Sequence, residues 1–327
     1  MTHILVTGGA GFIGSNFVRR AIENKYPEIR DCTVTVLDAL TYSGNINNLS
    51  PVRSSSRLRF IHGDIRDEDL LSEIMPNVNY VVHFAAETHV DRSIKNASAF
   101  VETNVLGTGR LLEAAARNNI DRFIHISTDE VYGSIESGSW DENQPLLPNS
   151  PYSASKAASD LLVRSYHKTY DLPVCITRCS NNYGPYQFPE KVIPLFVTNL
   201  IEDKEVPLYG DGTNVRDWLH VDDHCRGIYI VLTKGRSGEI YNIGGGLELS
   251  NADLSQIILE VMEKSWSMVK RVKDRPGHDK RYSVSINKIS TLGYRPEVSF
   301  EQGLAETINW YKDNSSWWKP LKARAAL

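Results

Sequence analysis

Cysteine is scarce: the four, Cys32, Cys175, Cys179 and Cys225, contain no Cys-x-x-Cys pair. Neither a zinc site nor a disulfide framework is expected from that spacing, and a reduced, cytoplasmic chain is the better reading. Long apolar runs are also missing. No stretch approaches the roughly 20 residues of a membrane span, and the N-terminus enters a strand-like segment without a basic region and apolar core, so neither a membrane protein nor a signal peptide is expected. There is little excess charge. A formal net charge of -4 gives no general attraction to nucleic acid. Repeats, low-complexity tracts and flexible linkers are absent. With 41% hydrophobic and 23% charged residues, the 327-residue chain can build one large or two modest cores.

The apolar run Ile4-Leu5-Val6 leads into Gly8, Gly11 and Gly14, and an amphipathic helix follows from Phe17. Glycines at this spacing permit a tight turn, close approach of backbone to a pyrophosphate, and close helix–strand packing. The helix N-terminus then offers free N–H groups to the anion. A second apolar run, Thr33 to Leu37, ends in Asp38, an acid able to accept from a ribose 2′-hydroxyl and to repel a 2′-phosphate. NAD is therefore expected over NADP. A third strand ends near Asp64, which could reach an adenine or cap the helix Asp67 to Ile74. The strand from Tyr80 runs into Phe84, Ala85 and Ala86, where small side chains suit a nearby cofactor or plain packing. His83 reads as a satisfied core histidine, and Asp91–Arg92 as a structural pair. A long helix is expected from about Ser98 to Asn118, with Val101, Val105, Leu111, Leu112 and Ala115 as its apolar stripe. This alternation gives an α/β fold with a Rossmann-type doubly wound parallel sheet, ligands lying at the carboxyl ends of the strands.

The strand from Phe123 ends in Ser127, Thr128, Asp129 and Glu130, and Tyr152 and Lys156 stand four apart at a helix start, on one helix face. A free tyrosine ionises near ~10. A neighbouring ammonium is expected to favour the phenolate and make Tyr152 useful for taking a proton from an alcohol. For Asp129 and Glu130 to reach one substrate, the strand must turn at about Asp129, because successive strand residues face opposite ways.

Further on, Asn181 and Asn182 occupy a turn-rich stretch and could hold nicotinamide or phosphate, or merely shape the turn. Lys191, Arg216, Arg275 and His278 read as cationic donors in loops, Arg216 being the strongest for a diphosphate. Pro207 and Tyr209 could stack a pyrimidine, and Asn251 could bond its phosphates or ribose. His220, Asp222, Asp223 and His224 are read as no metal site, with Asp222 as the N-cap of the helix through Leu232. The tail, with Trp310, Trp317 and Trp318, reads as packing.

These motifs resemble the extended short-chain dehydrogenase/reductases, and within them the dTDP-glucose 4,6-dehydratases. The residues that carry the resemblance run from the Gly8–Gly14 turn through Ala85–Ser93, Ser127–Gly133 and Tyr152–Lys156. They continue through Cys179–Tyr186, Phe188–Lys191, Arg216–Trp218 and Arg275–Asp279. The Thr128-Asp129-Glu130 triplet is the specific element, because related sugar-nucleotide epimerases carry a small residue in place of Asp129. Thr88 stands where many members have serine, which keeps the hydroxyl.

The resemblance implies a hydro-lyase with tightly bound catalytic NAD. Tyr152, assisted by Lys156 and Thr128, would take the sugar 4-hydroxyl proton during oxidation. Glu130 would remove the C5 proton and Asp129 would protonate the departing C6 hydroxyl. It also implies cofactor contacts from Phe12, Ile13, Thr41, Ile65 and Thr103, and substrate contacts from Thr88 and Val192. A homodimer is expected through the helices near 98–118 and 152–169. The NAD-binding domain is expected over 1–180 plus about 215–243, and a smaller α/β substrate domain over 181–214 plus 244–327. A 4-epimerase or decarboxylase on the same scaffold, or a non-catalytic NAD sensor, are the alternative readings.

Overall fold

The computed structural model describes residues 2–274 and 276–325. In chain order the first half runs β1 (His3–Thr7), α1 (Phe12–Ile22), β2 (Thr33–Asp38), β3 (Leu58–His62), α2 (Glu68–Ile74), β4 (Tyr80–His83), α3 (Val90–Lys95), α4 (Ala97–Phe100), α5 (Thr108–Arg117), β5 (Arg122–Thr128), α6 (Pro151–Tyr170) and β6 (Val174–Cys179). The second half adds β7 (Asn181–Tyr183), α7 (Val192–Ile201), β8 (Val206–Tyr209), β9 (Val215–His220), α8 (Val221–Lys234), β10 (Ile240–Ile243), β11 (Glu248–Ser250), α9 (Asn251–Val261), β12 (Val269–Val272), α10 (Asn287–Ser290), α11 (Phe300–Asp313) and α12 (Ser315–Ala325).

Seven strands form one parallel sheet in the order β3-β2-β1-β4-β5-β6-β10. The alternation of side chains along each strand explains why these runs are apolar throughout. Ile4, Val6, Val36, Val82 and Ile124 face a core closed by Phe17 and Val18 of α1 and Ile228 and Val231 of α8. Their neighbours Leu5, Leu37, Val81 and Phe123 face the opposite core, with Leu71 of α2, Leu111 and Leu112 of α5 and Val163 of α6. The doubly wound sheet expected from the chain is thus present. The strand order reverses between β1 and β4, which opens a crevice at their carboxyl ends.

A third core joins Phe196, Leu254, Ile258, Leu304, Ile308 and the fully buried Trp318. It packs α7, α9, α11 and α12 around the small sheets β11-β9-β7 and β12-β8. Trp318 donates its indole N–H to the Tyr311 carbonyl at 2.8 Å, so this tryptophan packs on the body of the protein. Among the described residues, no helix is long and apolar enough to cross a membrane.

Two local expectations are corrected. The long helix from Ser98 to Asn118 is broken by a π-helical stretch over Val101–Gly107 between α4 and α5. Within it, Asn104 is drawn onto the loop after β4. Its Oδ1 accepts from the Glu87 N–H at 2.8 Å, and its Nδ2 donates to the Glu87 carbonyl at 3.0 Å and to Ser155 Oγ at 2.8 Å. The apolar stripe is split accordingly: Leu111, Leu112 and Ala115 are buried, whereas Val101 is exposed. The N-cap of α8 is His220, whose ring accepts from the Asp222 N–H. Asp222 is the second residue of the helix, and its carboxylate is taken by Arg20 and by Asn16 Nδ2 at 2.9 Å.

Candidate active site

Glycine geometry builds the first wall of the crevice. A Cβ on Gly14 would stand 2.3 Å from the Gly8 carbonyl oxygen, and one on Gly8, whose φ is +68°, would meet the Ala85 backbone at 2.5 Å. The N-cap of α1 is Gly11, with no side-chain cap and no acid in the first turn, so the first N–H groups face the crevice uncompensated. Asp38 closes this end. Its two carboxylate oxygens accept from the Ala10 and Leu40 N–H groups, each at 2.8 Å. The donor set and the close-packed glycines fit a dinucleotide pyrophosphate and its ribose.

The crevice continues as a cavity of about 490 Å³ along the carboxyl ends of the strands. Its lining contains every cofactor position expected from the sequence: Gly8, Gly11, Phe12, Ile13, Gly14, Asp38, Thr41, Asp64, Ile65, Phe84, Ala85, Ala86, Thr103, Tyr152, Lys156 and Asn182. It also contains Thr88, Thr128, Asp129, Glu130, Asn181 and Lys191. Asp64 does not cap α2; Asp67 does, through the Leu70 N–H. Asp64 lines the cavity and is paired with Arg66 at 2.7 Å.

At the far end, β5 stops at Thr128 and a 3-10 turn begins at Asp129. Thr128 caps that turn. Its Oγ1 accepts from the Glu130 N–H at 3.3 Å and donates to Asp129 Oδ1 at 3.2 Å. The strand therefore turns where two consecutive acids would need it to, and both border the same space. Asp129 is buried, and its Oδ2 has no hydrogen-bond partner. Burial first, then the neighbouring Glu130 and Asp217, hold its carboxyl well above the usual range. A carboxyl so placed favours its protonated form, in which it can donate a proton.

Tyr152 and Lys156 enter on α6, whose start is fixed by Pro151 and by a reciprocal cap between Ser150 and Ser153. Lys156 is buried and donates Nζ to the Ile126 carbonyl at 2.8 Å. Burial lowers its value to about 8, against a smaller opposing pull from Asp160. The expectation that Lys156 lowers Tyr152 is corrected here. The phenol is raised well above its ordinary value by burial, then by Glu130, Cys179 and Asp129. The tyrosine is protonated in the protein alone.

Beyond the cavity wall stand Val192, at the start of α7, and a group around β8 and β9. Tyr209 meets the His278 ring edge-on at 6.4 Å, and His278 Nδ1 lies 2.7 Å from Asp274. Pro207 lies on β8. Asn251 opens α9, its N–H held by the Asn214 carbonyl at 2.9 Å. Arg216 is a strand residue and not a loop cation. It is buried, donates to the Val215 and Asp279 carbonyls at 2.7 and 2.9 Å, and stacks over Tyr282 at 4.3 Å. Arg275 lies outside the described residues.

His83 is the core histidine expected, held between Thr7 Oγ1 at 2.7 Å and Thr108 Oγ1 at 2.9 Å. Arg92 pairs with Glu190 at 3.4 Å and covers the Tyr42 ring at 4.0 Å. Tyr42, Glu87 and Glu190 line the cavity without having been singled out from the sequence. Glu87 and Glu190 stand inside motifs quoted above, whereas nothing in the local pattern marks Tyr42.

The model of the GDP-mannose 4,6 dehydratase family matches residues 5–307. A dTDP-glucose 4,6-dehydratase of Streptomyces niveus is 57% identical over 321 residues, covering 98% of this chain and 96% of that protein. Among solved structures, the dTDP-glucose 4,6-dehydratase DesIV of Streptomyces venezuelae, with NAD bound, superposes with a TM-score of 0.97 at 61% identity, covering 98% of this chain and 100% of that one. A UDP-glucuronic acid 4-epimerase of Bacillus cereus shares the fold at 34% identity and a TM-score of 0.89, over 95% and 99% of the two chains. With the glycine turn, the paired acids and the Tyr152–Lys156 pair on one crevice, the chain belongs to the GDP-mannose 4,6 dehydratase family, within the extended short-chain dehydrogenase/reductases.

Proposed function

We propose that the chain is an NAD-dependent dTDP-glucose 4,6-dehydratase, converting dTDP-glucose to dTDP-4-keto-6-deoxyglucose and water. The observation that carries this reading is the turn at Asp129, which puts a buried acid and a second carboxyl at one end of the nucleotide crevice beside Tyr152. An epimerase needs only the tyrosine, the lysine and the hydroxyl.

When bound, NAD⁺ brings a positive nicotinamide ring and takes up and returns the hydride. The protein's residues handle the protons. Tyr152, as the phenolate that Lys156 and the positive nicotinamide would favour once NAD is bound, removes the proton of the sugar 4-hydroxyl, with Thr128 bonding the same oxygen. Ketone formation at C4 makes the C5 hydrogen acidic, and Glu130 removes it. Asp129 donates its proton to the C6 hydroxyl, which leaves as water. Glu130 then returns its proton to C5 as hydride reaches C6. The two acids thus need opposite protonation states, which burial and their mutual repulsion favour.

The division into an NAD-binding part (1–180 plus about 215–243) and a substrate part is retained as part of this reading, with the substrate nucleotide near Tyr209, Asn251 and His278. A homodimer is supported by the exposed Val101 and Leu161 on the two helices expected to form it; a single-chain mass in sedimentation would refute it. Four free, buried cysteines agree with a cytoplasmic protein.

The test is incubation of purified protein with dTDP-glucose and no added reductant, followed by mass spectrometry. Loss of one water with a new carbonyl supports the reading. A product of unchanged mass indicates an epimerase, and no turnover of any nucleotide sugar indicates a sensor.

A further inference from the structure

Behind the catalytic pair lies a second set of buried charges that the reaction as written does not use. Asp160 follows Lys156 by one turn of α6, on the same face. It is buried, and so is Arg178 on β6, whose Nε donates to Asp160 Oδ2 at 2.9 Å. The Arg178 guanidinium also lies over the Tyr132 ring at 4.7 Å. Asp160 Oδ1 accepts no hydrogen bond. It faces His125 Nε2 at 3.4 Å, while that nitrogen bonds Ser159 Oγ at 3.2 Å.

The groups acting on Lys156 come from every element packed around it. Asp160 shares its helix, as does Tyr152 one turn before it, His83 and His125 are coupled to it from β4 and β5, and Cys179 from β6. His83 is kept neutral by burial, and His125 is pushed down to about 4, by burial and then by Lys156 itself. The Cys179 thiol is raised by burial and then by Asp129. Tyr152 is protonated, and Glu130 and Asp129 act on that phenol. Asp160 differs from all of these. Burial works against its ionisation, but Arg178 and His125 outweigh burial and hold its carboxyl low. Of the two groups that raise Lys156, Asp160 and the Cys179 thiol, Asp160 is the one held in its ionised form.

We propose that Asp160, one turn behind Lys156 and anchored by Arg178, is a positioning residue that keeps the Lys156 ammonium charged inside the protein. The proposal rests on the dehydratase reading of Lys156. Asp160 and Arg178 offset one another, and the Lys156 ammonium on the same helix face as Tyr152 offsets the charge the phenol takes on when it ionises. The cluster is therefore built to receive the phenolate. An uncharged lysine would remove that preference and leave only a neutral amine bonded to a carbonyl.

The experiment follows the charge of Lys156 in the full-length NAD-loaded protein. Lysine labelled with ¹³C at the ε position is titrated by NMR, and the Lys156 resonance is assigned by its loss in Lys156→Met. In the wild type it is expected to titrate below the ordinary lysine value. In Asp160→Asn the midpoint should fall by roughly one pH unit or more. The alkaline limb of kcat on dTDP-glucose should move down with it while KM stays near its wild-type value. Asp160→Glu, which keeps the charge, should restore both.

Should Asp160→Asn leave Arg178 unpaired and unfold the protein, the double variant Asp160→Asn/Arg178→Met removes the ion pair as a unit. It should also show a lowered midpoint, by less than in Asp160→Asn because the Arg178 charge leaves with its partner. An unchanged midpoint in either variant, or lost activity without a shift, would overturn the proposal and leave Asp160 a structural residue. A wild type inactive on dTDP-glucose but showing the NMR shift would refute the dehydratase reading alone.

Discussion

The glycine turn offers a sharp test of the nucleotide crevice through Gly14→Ala. The added Cβ would lie 2.3 Å from the Gly8 carbonyl oxygen and 3.0 Å from the Gly9 Cα. Both are backbone atoms, so no flexible side chain can yield. Gly8 is itself held by its N–H bond to the Leu37 carbonyl at 2.9 Å and by the Ala85 backbone on its other side. Overpacking of this kind costs about 1–3 kcal/mol. If the turn opens to relieve it, the loss falls on NAD, and affinity drops by about 5- to 150-fold. If the turn holds, the loss falls on the fold, as a lower melting temperature by a few degrees. NAD released from the purified protein, calorimetric affinity of the stripped protein for NAD, and thermal melts of that stripped protein separate the two. As a control, a Cβ at Gly109 in α5 meets nothing within 4 Å. Gly109→Ala should leave NAD affinity unchanged and add about 0.5–1 kcal/mol through helix propensity. A Gly14→Ala protein with wild-type NAD affinity and melting temperature would refute the argument.

Glu130→Gln should reduce water loss by roughly 10²–10⁴-fold, while nicotinamide absorbance on mixing with dTDP-glucose still reports oxidation at C4; full dehydration by this variant removes Glu130 as the C5 base. Asp129→Asn should abolish elimination and yet stabilise the protein near neutral pH. The Asp129 carboxyl is raised in the folded state, so its contribution is fully present below the ordinary aspartate value and is lost as pH rises through the folded one. The gain in melting temperature over the wild type should therefore shrink toward about pH 4, near the unfolded aspartate value. A variant less stable than the wild type by the same amount at every pH would contradict this.

Much of the molecule could be read from the chain because the relevant units are local. A strand, a glycine turn and a helix form one short rigid piece, so the spacing of Gly8, Gly11 and Gly14 and the acid at the end of β2 translate directly into a crevice. The same holds for Tyr152 and Lys156, placed on one face by helix geometry, and for Leu5 and Val6, sent to opposite cores by the alternation of a strand. Tertiary structure decided the charges. Asp129 is pushed toward its protonated form by burial, Glu130 and the distant Asp217, and Tyr152 is raised where its sequence neighbour Lys156 alone would lower it. Arg216 has the chemistry of a diphosphate ligand, yet its guanidinium also bonds carbonyls of Val215 and Asp279. The π turn at Val101–Gly107 coincides with the binding of Asn104 to Glu87 and Ser155 from two other segments. Ionisation and helix register respond to the surrounding dielectric and to groups brought close through space, and the spacing of residues along a chain carries neither.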